Sequence, residues 1–144
     1  MVRSKVPDSP AFQPAPIPLA ILLCDDSIRD SDTKKITLVG IFDQIKAKEF
    51  PTTYRPVSIY LRLIDAEGIY KFRIEFVLVS DDKILVEANI NAINIPNRLE
   101  PFTCVIKSTP LELPKEGQYE FRVWANDRYI GRAGLLAMKT SEVK

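Results

Sequence analysis

The chain has 144 residues, enough for one ordinary domain and too few for two comfortable ones. Twenty Lys and Arg against nineteen Asp and Glu leave a net charge of +1, which argues against a nucleic-acid binder and against electrostatic adhesion to an anionic membrane. There is no histidine, so Ser-His-Asp and Cys-His catalysis and histidine-based zinc sites are excluded.

Residues 1–18 hold five of the eleven prolines. Proline denies backbone donors and holds the chain extended, so this stretch reads as a Pro-rich flexible arm. Its sharper reading is an arm that packs on a partner subunit. Arg3 and Lys5 followed by the apolar run Ile17 to Leu23 and then Cys24 resemble an export signal only superficially. Pro14, Pro16 and Pro18 interrupt the approach, and Leu22 and Leu23 stand where small residues belong. The expectation is a cytoplasmic tail entering a first strand. No segment is long enough to span a membrane as a helix.

Residues 19–140 then follow a period of two, which is the strand period. Leu19 to Cys24 and Ile36 to Ile45 read as the first two strands, with Gly40 marking a bulge. Lys46 to Arg55 holds at most a short turn. In Val57 to Leu63 the odd positions are aliphatic and the even ones polar or amphipathic. After a turn at Asp65 to Gly68, Tyr70, Phe72, Ile74, Phe76 and Leu78 form one face, opposite Lys71, Arg73 and Glu75. Ser80 to Lys83 turns the chain into a strand with Ile84, Val86, Ala88 and Ile90 on one side. Phe102 to Ile106 is a further strand, and Pro110 to Gly117 a loop and turn. Tyr119, Phe121, Val123 and Ala125 alternate with Glu120, Arg122 and Trp124. A tight turn at Asn126-Asp127 leads into a last strand, whose Gly131 and Gly134 suggest a bulge or a close backbone approach. About eight antiparallel strands imply an all-β sandwich, immunoglobulin-like or C2-like. A closed barrel is the runner-up. Cys24 and Cys104, both inside apolar runs, read as buried free thiols. A disulfide between them would imply an oxidising compartment.

Leu23-Cys24-Asp25-Asp26, Asp32 to Asp43, Phe50-Pro51, Tyr60 to Leu63 and Gly117 to Ala125 together resemble a family of small uncharacterised bacterial proteins. The likeness runs from about Leu19 to about Met138. It implies a mostly stand-alone sandwich of unknown role and transfers no catalytic or ligand residue.

Four sets of residues are candidate sites. Asp25, Asp26 and Asp32 would form a weak calcium site if loops bring them together. Asp is also a turn residue that caps local backbone donors, and Arg29, Lys34 and Lys35 lie close enough in sequence to neutralise the cluster. Trp124 and Arg122, facing away from the core beside Glu120, together with Tyr60 and Arg62 on another strand, would anchor a partner. On that reading Trp124→Ala weakens association and leaves the fold intact. Alternatively Trp124 covers its own sheet and stacks on an Arg, or marks a homodimer seam. Asn89, Asn91, Asn94 and Asn97 with Arg98 carry the donors and acceptors that sugars need, or form a polar strand face. Glu75, Glu87 and Glu120 would supply the carboxylate pair of a glycosidase, which needs a separation of roughly 5–9.5 Å in a cleft.

The role expected from these residues is non-catalytic: a protein-interaction or assembly module, self-associating as a homodimer or engaging another protein. A calcium-dependent ligand or membrane-surface module using the loop aspartates is the alternative, and a carboxylate-based enzyme is third. No cofactor beyond calcium is expected.

Overall fold

The computed structural model describes residues 13–140. Among them are eleven strands: β1 (Ile17–Arg29), β2 (Ile36–Ile41), β3 (Gln44–Ala47), β4 (Thr52–Tyr54), β5 (Ser58–Ile64), β6 (Gly68–Leu78), β7 (Lys83–Ile95), β8 (Phe102–Lys107), β9 (Leu111–Leu113), β10 (Gly117–Ala125) and β11 (Arg128–Lys139). One sheet runs β2-β1-β5-β8, the other β3-β11-β10-β6-β7, and β4 and β9 form a separate ribbon. All pairs are antiparallel except β3 with β11. Among the described residues no helix is long and apolar enough to cross a membrane.

The alternation read from the sequence places the core. Leu23 on β1 and Ile59, Leu61 and Leu63 on β5 pack against Tyr70, Phe72, Ile74 and Phe76 on β6 and against Tyr119, Phe121 and Val123 on β10. Along β10 every second side chain is buried because successive Cβ atoms leave opposite faces of the pleat, whereas β6, in the middle of its sheet, buries all five residues from Ile74 to Leu78. Eleven strands replace the expected eight or so because β3, β4 and β9 have only three or four residues each. That is too short to display a period. The expected second strand, Ile36 to Ile45, is two strands in two different sheets. The chain crosses between them at Phe42-Asp43, where Phe42 N–H donates to Leu23 O at 3.0 Å and Leu136 N–H donates to Asp43 O at 2.9 Å. Gly40, just before the crossing, has φ +69°, and a side chain there would run into the Asp25 carboxylate.

Tyr119, near the start of β10, donates its hydroxyl to Lys115 O at 2.6 Å and accepts Lys115 N–H at 3.3 Å. A tyrosine near the start of a strand, bonded back to backbone just upstream of it, has the geometry of the tyrosine corner of immunoglobulin-like sandwiches. It favours that family of folds over the C2-like alternative. Tyr119→Phe should therefore cost about 1–3 kcal/mol, the penalty for leaving a partly buried carbonyl and amide without their partner. Urea unfolding checks this, and a cost near zero would mean that the hydroxyl does not hold the corner.

The expected arm spans 1–18, and its residues 1–12 lie outside the described residues. Its last six residues are packed on the sandwich. Gln13 Nε2 donates to Ile69 O at 3.0 Å, Asn126 Nδ2 donates to Gln13 Oε1 at 2.8 Å, and the Tyr70 hydroxyl donates to Pro14 O at 2.8 Å. Pro14 and Pro16 lack N–H groups, so side chains and carbonyls make the attachment. Both cysteines are free. Cys24 pairs with Ser58 on the outer face of its sheet, whereas Cys104 pairs with Leu61 on the core face. They are two strands apart, about 10 Å at the usual strand spacing, beyond the reach of a disulfide.

Candidate functional site

Asp25 and Asp26 lie inside β1 rather than in a loop. Consecutive strand residues face opposite sides of a sheet, so these two cannot converge on one ion. Asp25 pairs with Arg55 at 2.9 Å and Asp26 with Lys107 at 3.8 Å. Asp32 sits in the turn after β1. Its N–H and that of Thr33 donate to Asp30 Oδ1 at 2.8 and 2.9 Å, and these donors, Thr33 foremost, hold the Asp30 carboxyl below the usual range. Among the described residues no group of three or more His, Cys, Asp and Glu side chains is placed to hold a metal. Nearness in sequence suggested a cluster that the strand pleat takes apart.

Glu120, Arg122 and Trp124 do face outward from β10, but they are engaged within their own sheet. Arg122 Nε donates to Glu120 Oε1 at 2.9 Å, and Arg132 lies 3.2 Å from the other oxygen. Trp124 is half-buried. Its indole N–H donates to Glu75 Oε1 at 3.0 Å, the Arg73 guanidinium lies 4.7 Å over its ring, and Tyr129 meets it edge-on at 5.4 Å. Arg73 Nε donates to the second Glu75 oxygen at 3.2 Å and Arg73 Nη1 to Asp127 at 2.9 Å. Glu75, expected on a wet face, is only 6% exposed. Trp124 is thus the roof of a buried, fully paired carboxylate, not a free anchor.

Tyr60 and Arg62 lie on β5 in the other sheet, also facing outward. The four expected anchor residues are therefore split between opposite sides of the sandwich. Of the other two sets, the carboxylates do lie together, Glu75 facing Glu87 across the β6–β7 ladder, but each is already engaged. Glu75 and Glu120 each hold a cation, and Glu87 accepts from Asn89 at 3.2 Å. Asn97 caps a turn by accepting Leu99 N–H at 2.9 Å, and Arg98 pairs with Asp65.

Around Tyr60 lies a surface that the alternation argument missed. By register, one outer row of the β2-β1-β5-β8 sheet is Leu22, Tyr60 and Val105, and the next begins Ile41, Cys24 and Ser58. Val39 and Ile28 continue it along β2 and β1, and Ile17 and Ile64 face each other near the start of β1. Ile17 is 48% exposed, Ile28 59%, Val39 43% and Ile41 58%. The polar residues there are few: Arg62, bonded to Thr103 at 2.8 Å, and the Asp26–Lys107 pair. One signal pointed to this face. Leu19 to Cys24 is a continuous apolar run, the mark of a strand covered on both sides.

A slot opens on the edge where the two sheets part. β2 pairs with β1 only over Cys24 to Arg29, and β3 pairs with β11 only from Leu136 onward. Upstream, the facing edges of β1 and β11 have no strand between them. The groove there, about 780 Å³, has Leu23, Phe42, Tyr119, Ala133 and Leu135 at its floor and Asp43, Glu120 and Arg132 at its rim. One end closes where Gly131 meets Ile21 and Pro18. A Cβ on Gly131 would lie 2.9 Å from Ile21 Cδ1. The crossing at Phe42-Asp43 closes the other.

No curated protein is detectably similar to the chain. Among solved structures it is similar to an immunoglobulin-like protein from Pseudomonas aeruginosa, with 12% identity, 88% of this chain and 98% of that chain covered, and a TM-score of 0.39. A likeness that distant carries no argument about this chain. The model of a family of unknown function (DUF6941) matches residues 19–137, so the immunoglobulin-like sandwich described above belongs to that family.

Proposed function

We propose that this protein is a non-catalytic, self-associating sandwich whose contact surface is the outer face of the β2-β1-β5-β8 sheet. The observation that carries this is the exposure of Ile17, Ile28, Val39 and Ile41 on one face. Ile28, Val39 and Ile41 cluster at one end of the face and Ile17 lies at the other; exposed apolar clusters mark interaction sites. A second copy fits in charge. The face carries Arg62 one row to one side of the Leu22–Tyr60–Val105 row and the Asp26–Lys107 pair on the other, so charges of both signs are available to a second copy related by a two-fold axis. The net charge of +1 adds little repulsion. The non-catalytic part rests on Glu75 and Glu120, both neutralised by arginines.

Sedimentation equilibrium tests the reading. The wild-type chain should be a dimer, and Ile28→Arg with Val39→Arg should weaken it at least ~10-fold in Kd, about 1.4 kcal/mol, while the urea midpoints agree at concentrations low enough for both chains to be monomers. A wild-type chain that stays monomeric at high concentration overturns the proposal. The same reading leaves calcium aside, because Asp25 and Asp26 already face Arg55 and Lys107. Millimolar calcium should leave the melting temperature unchanged. A rise would show a ligand bound to the native state and would restore the calcium reading.

A further inference from the structure

We propose that the open edge of β2 pairs with the same edge of a second copy, antiparallel about a two-fold axis at Val39, and joins the two β2-β1-β5-β8 sheets into one continuous sheet. β2 ends its sheet and is paired with β1 alone. The free side of an edge strand presents unpaired N–H and C=O groups, a template for another strand. Proteins blunt such edges with charge, proline or bulges. β3 carries Lys46, β8 carries Lys107, and β7 carries Lys83 and Glu87 with two register shifts. β2, Ile36-Thr37-Leu38-Val39-Gly40-Ile41, carries none of these. Every residue in it is exposed or half-buried, so the strand keeps apolar surface to cover. An uncharged, mostly β-branched run of this length is of the kind that pairs with its own copy.

The flanks of β2 select a second copy and fix the register. Lys35 precedes the strand and Asp43 follows it, each four residues from Val39. Neither has an ion-pair partner among the described residues. An antiparallel copy centred on Val39 brings the partner's Asp43 to Lys35 and the partner's Lys35 to Asp43, so opposite charges meet at both ends of the ladder. Between them Val39 meets the partner's Val39, and Thr37 meets the partner's Ile41. Thr37, Val39 and Ile41 all belong to the outer face, opposite Ile28, Asp26 and Cys24 of β1. The register therefore keeps outer residues beside outer residues, which a slip of one position would not. The ladder spans about five residues, ~16 Å at ~3.3 Å per residue. It lies in the plane of the sheet, so it goes beyond the contact proposed through the outer face and joins copies already paired there. It also sets the Ile28, Val39 and Ile41 clusters of two copies side by side.

Disulfide trapping in the full chain tests this. Val39→Cys places a thiol on the axis, and residues opposed across an antiparallel ladder lie within disulfide reach. Cys24→Ala removes the neighbouring thiol on β1, and burial pushes Cys104 up to about 11. The buffer is glutathione at about 0.15 M salt, where charges further apart than about 8 Å are screened. The disulfide dimer should form at least ~10-fold faster than with Ile69→Cys, a thiol at a more exposed position outside the edge. Lys35→Asp or Asp43→Lys alone should slow it at least ~10-fold, since like charges then meet at both ends. Mixing those two variants should restore the rate, as a disulfide between unlike chains. Equal rates in the single variants and in the mixture overturn the proposal, and so does a rate no faster than that of Ile69→Cys. Tyr60→Arg separates the edge from the face, because Tyr60 lies in the outer face two strands from β2. At raised concentration the Val39→Cys disulfide should persist in that chain while the face contact is lost. Its disappearance would also overturn the proposal, because the thiols would then meet only through the face.

Discussion

Trp124→Ala is expected to destabilise the fold by ~3 kcal/mol, with the loss read as a lower urea midpoint at an unchanged m-value. Two terms add. Truncating a buried Trp to Ala costs about 3–5 kcal/mol in a core, and Trp124 is only half-buried, so about half of that applies. Removing the indole N–H also leaves Glu75 Oε1 without its donor in a site where the residue is 6% exposed. An orphaned buried acceptor costs about 1–3 kcal/mol, more when charged. Trp124→Phe separates the terms by keeping most of the ring and losing the donor, and should recover a third to a half of the loss. This corrects the simpler expectation that Trp124→Ala leaves the fold intact. A stability change under ~1 kcal/mol together with weakened association would return Trp124 to the role of a surface anchor.

Phe72→Ala should cost ~3–5 kcal/mol, the range for deleting a buried phenylalanine. Phe72 is buried in β6 and stacks on Tyr70 in its own strand, at 6.0 Å and 25°. On its other side it stacks on Phe102 of β8, at 6.4 Å and 3°. It therefore joins the two sheets as well as filling volume. β8 is an edge strand with Phe102, Cys104 and Ile106 only partly buried, so the truncation loosens that edge first. Faster amide exchange in β8 than in β1 would mark it. A cost under ~1 kcal/mol would mean that Phe72 does not face the core.

Phe72 and Trp124 also mark how far the sequence could be followed. Tyr70, Phe72, Ile74, Phe76 and Leu78 are apolar at alternate positions, and all five are buried. Each choice of face is repeated five times along one strand, so no single substitution confuses it. Glu75 and Trp124 obey the same alternation, and it puts them outside. It says nothing of what lies across the ladder. Trp124 faces Arg73, and Arg122 faces Glu75, from β6, about fifty residues earlier. That register turns an apparently free Trp and an apparently wet Glu into one closed contact. The aspartates fail for the converse reason. Asp25 and Asp26 are neighbours in sequence, and the pleat sends them to opposite faces.

By itself the sequence determined what depends on local period and composition. It specified an all-β sandwich, the inner residues of the long strands, a catalytic repertoire without histidine, and membership of a family without an assigned activity. The tertiary structure alone decided which outer residues share a surface. It separated Trp124 and Arg122 from Tyr60 and Arg62 and joined Ile41 and Ile28 to Leu22 and Tyr60. It also left β1 and β11 with facing open edges. The physical reason is that a strand's pattern states which side is apolar, whereas a surface is assembled from strands whose order and register are set by packing between residues far apart in the chain.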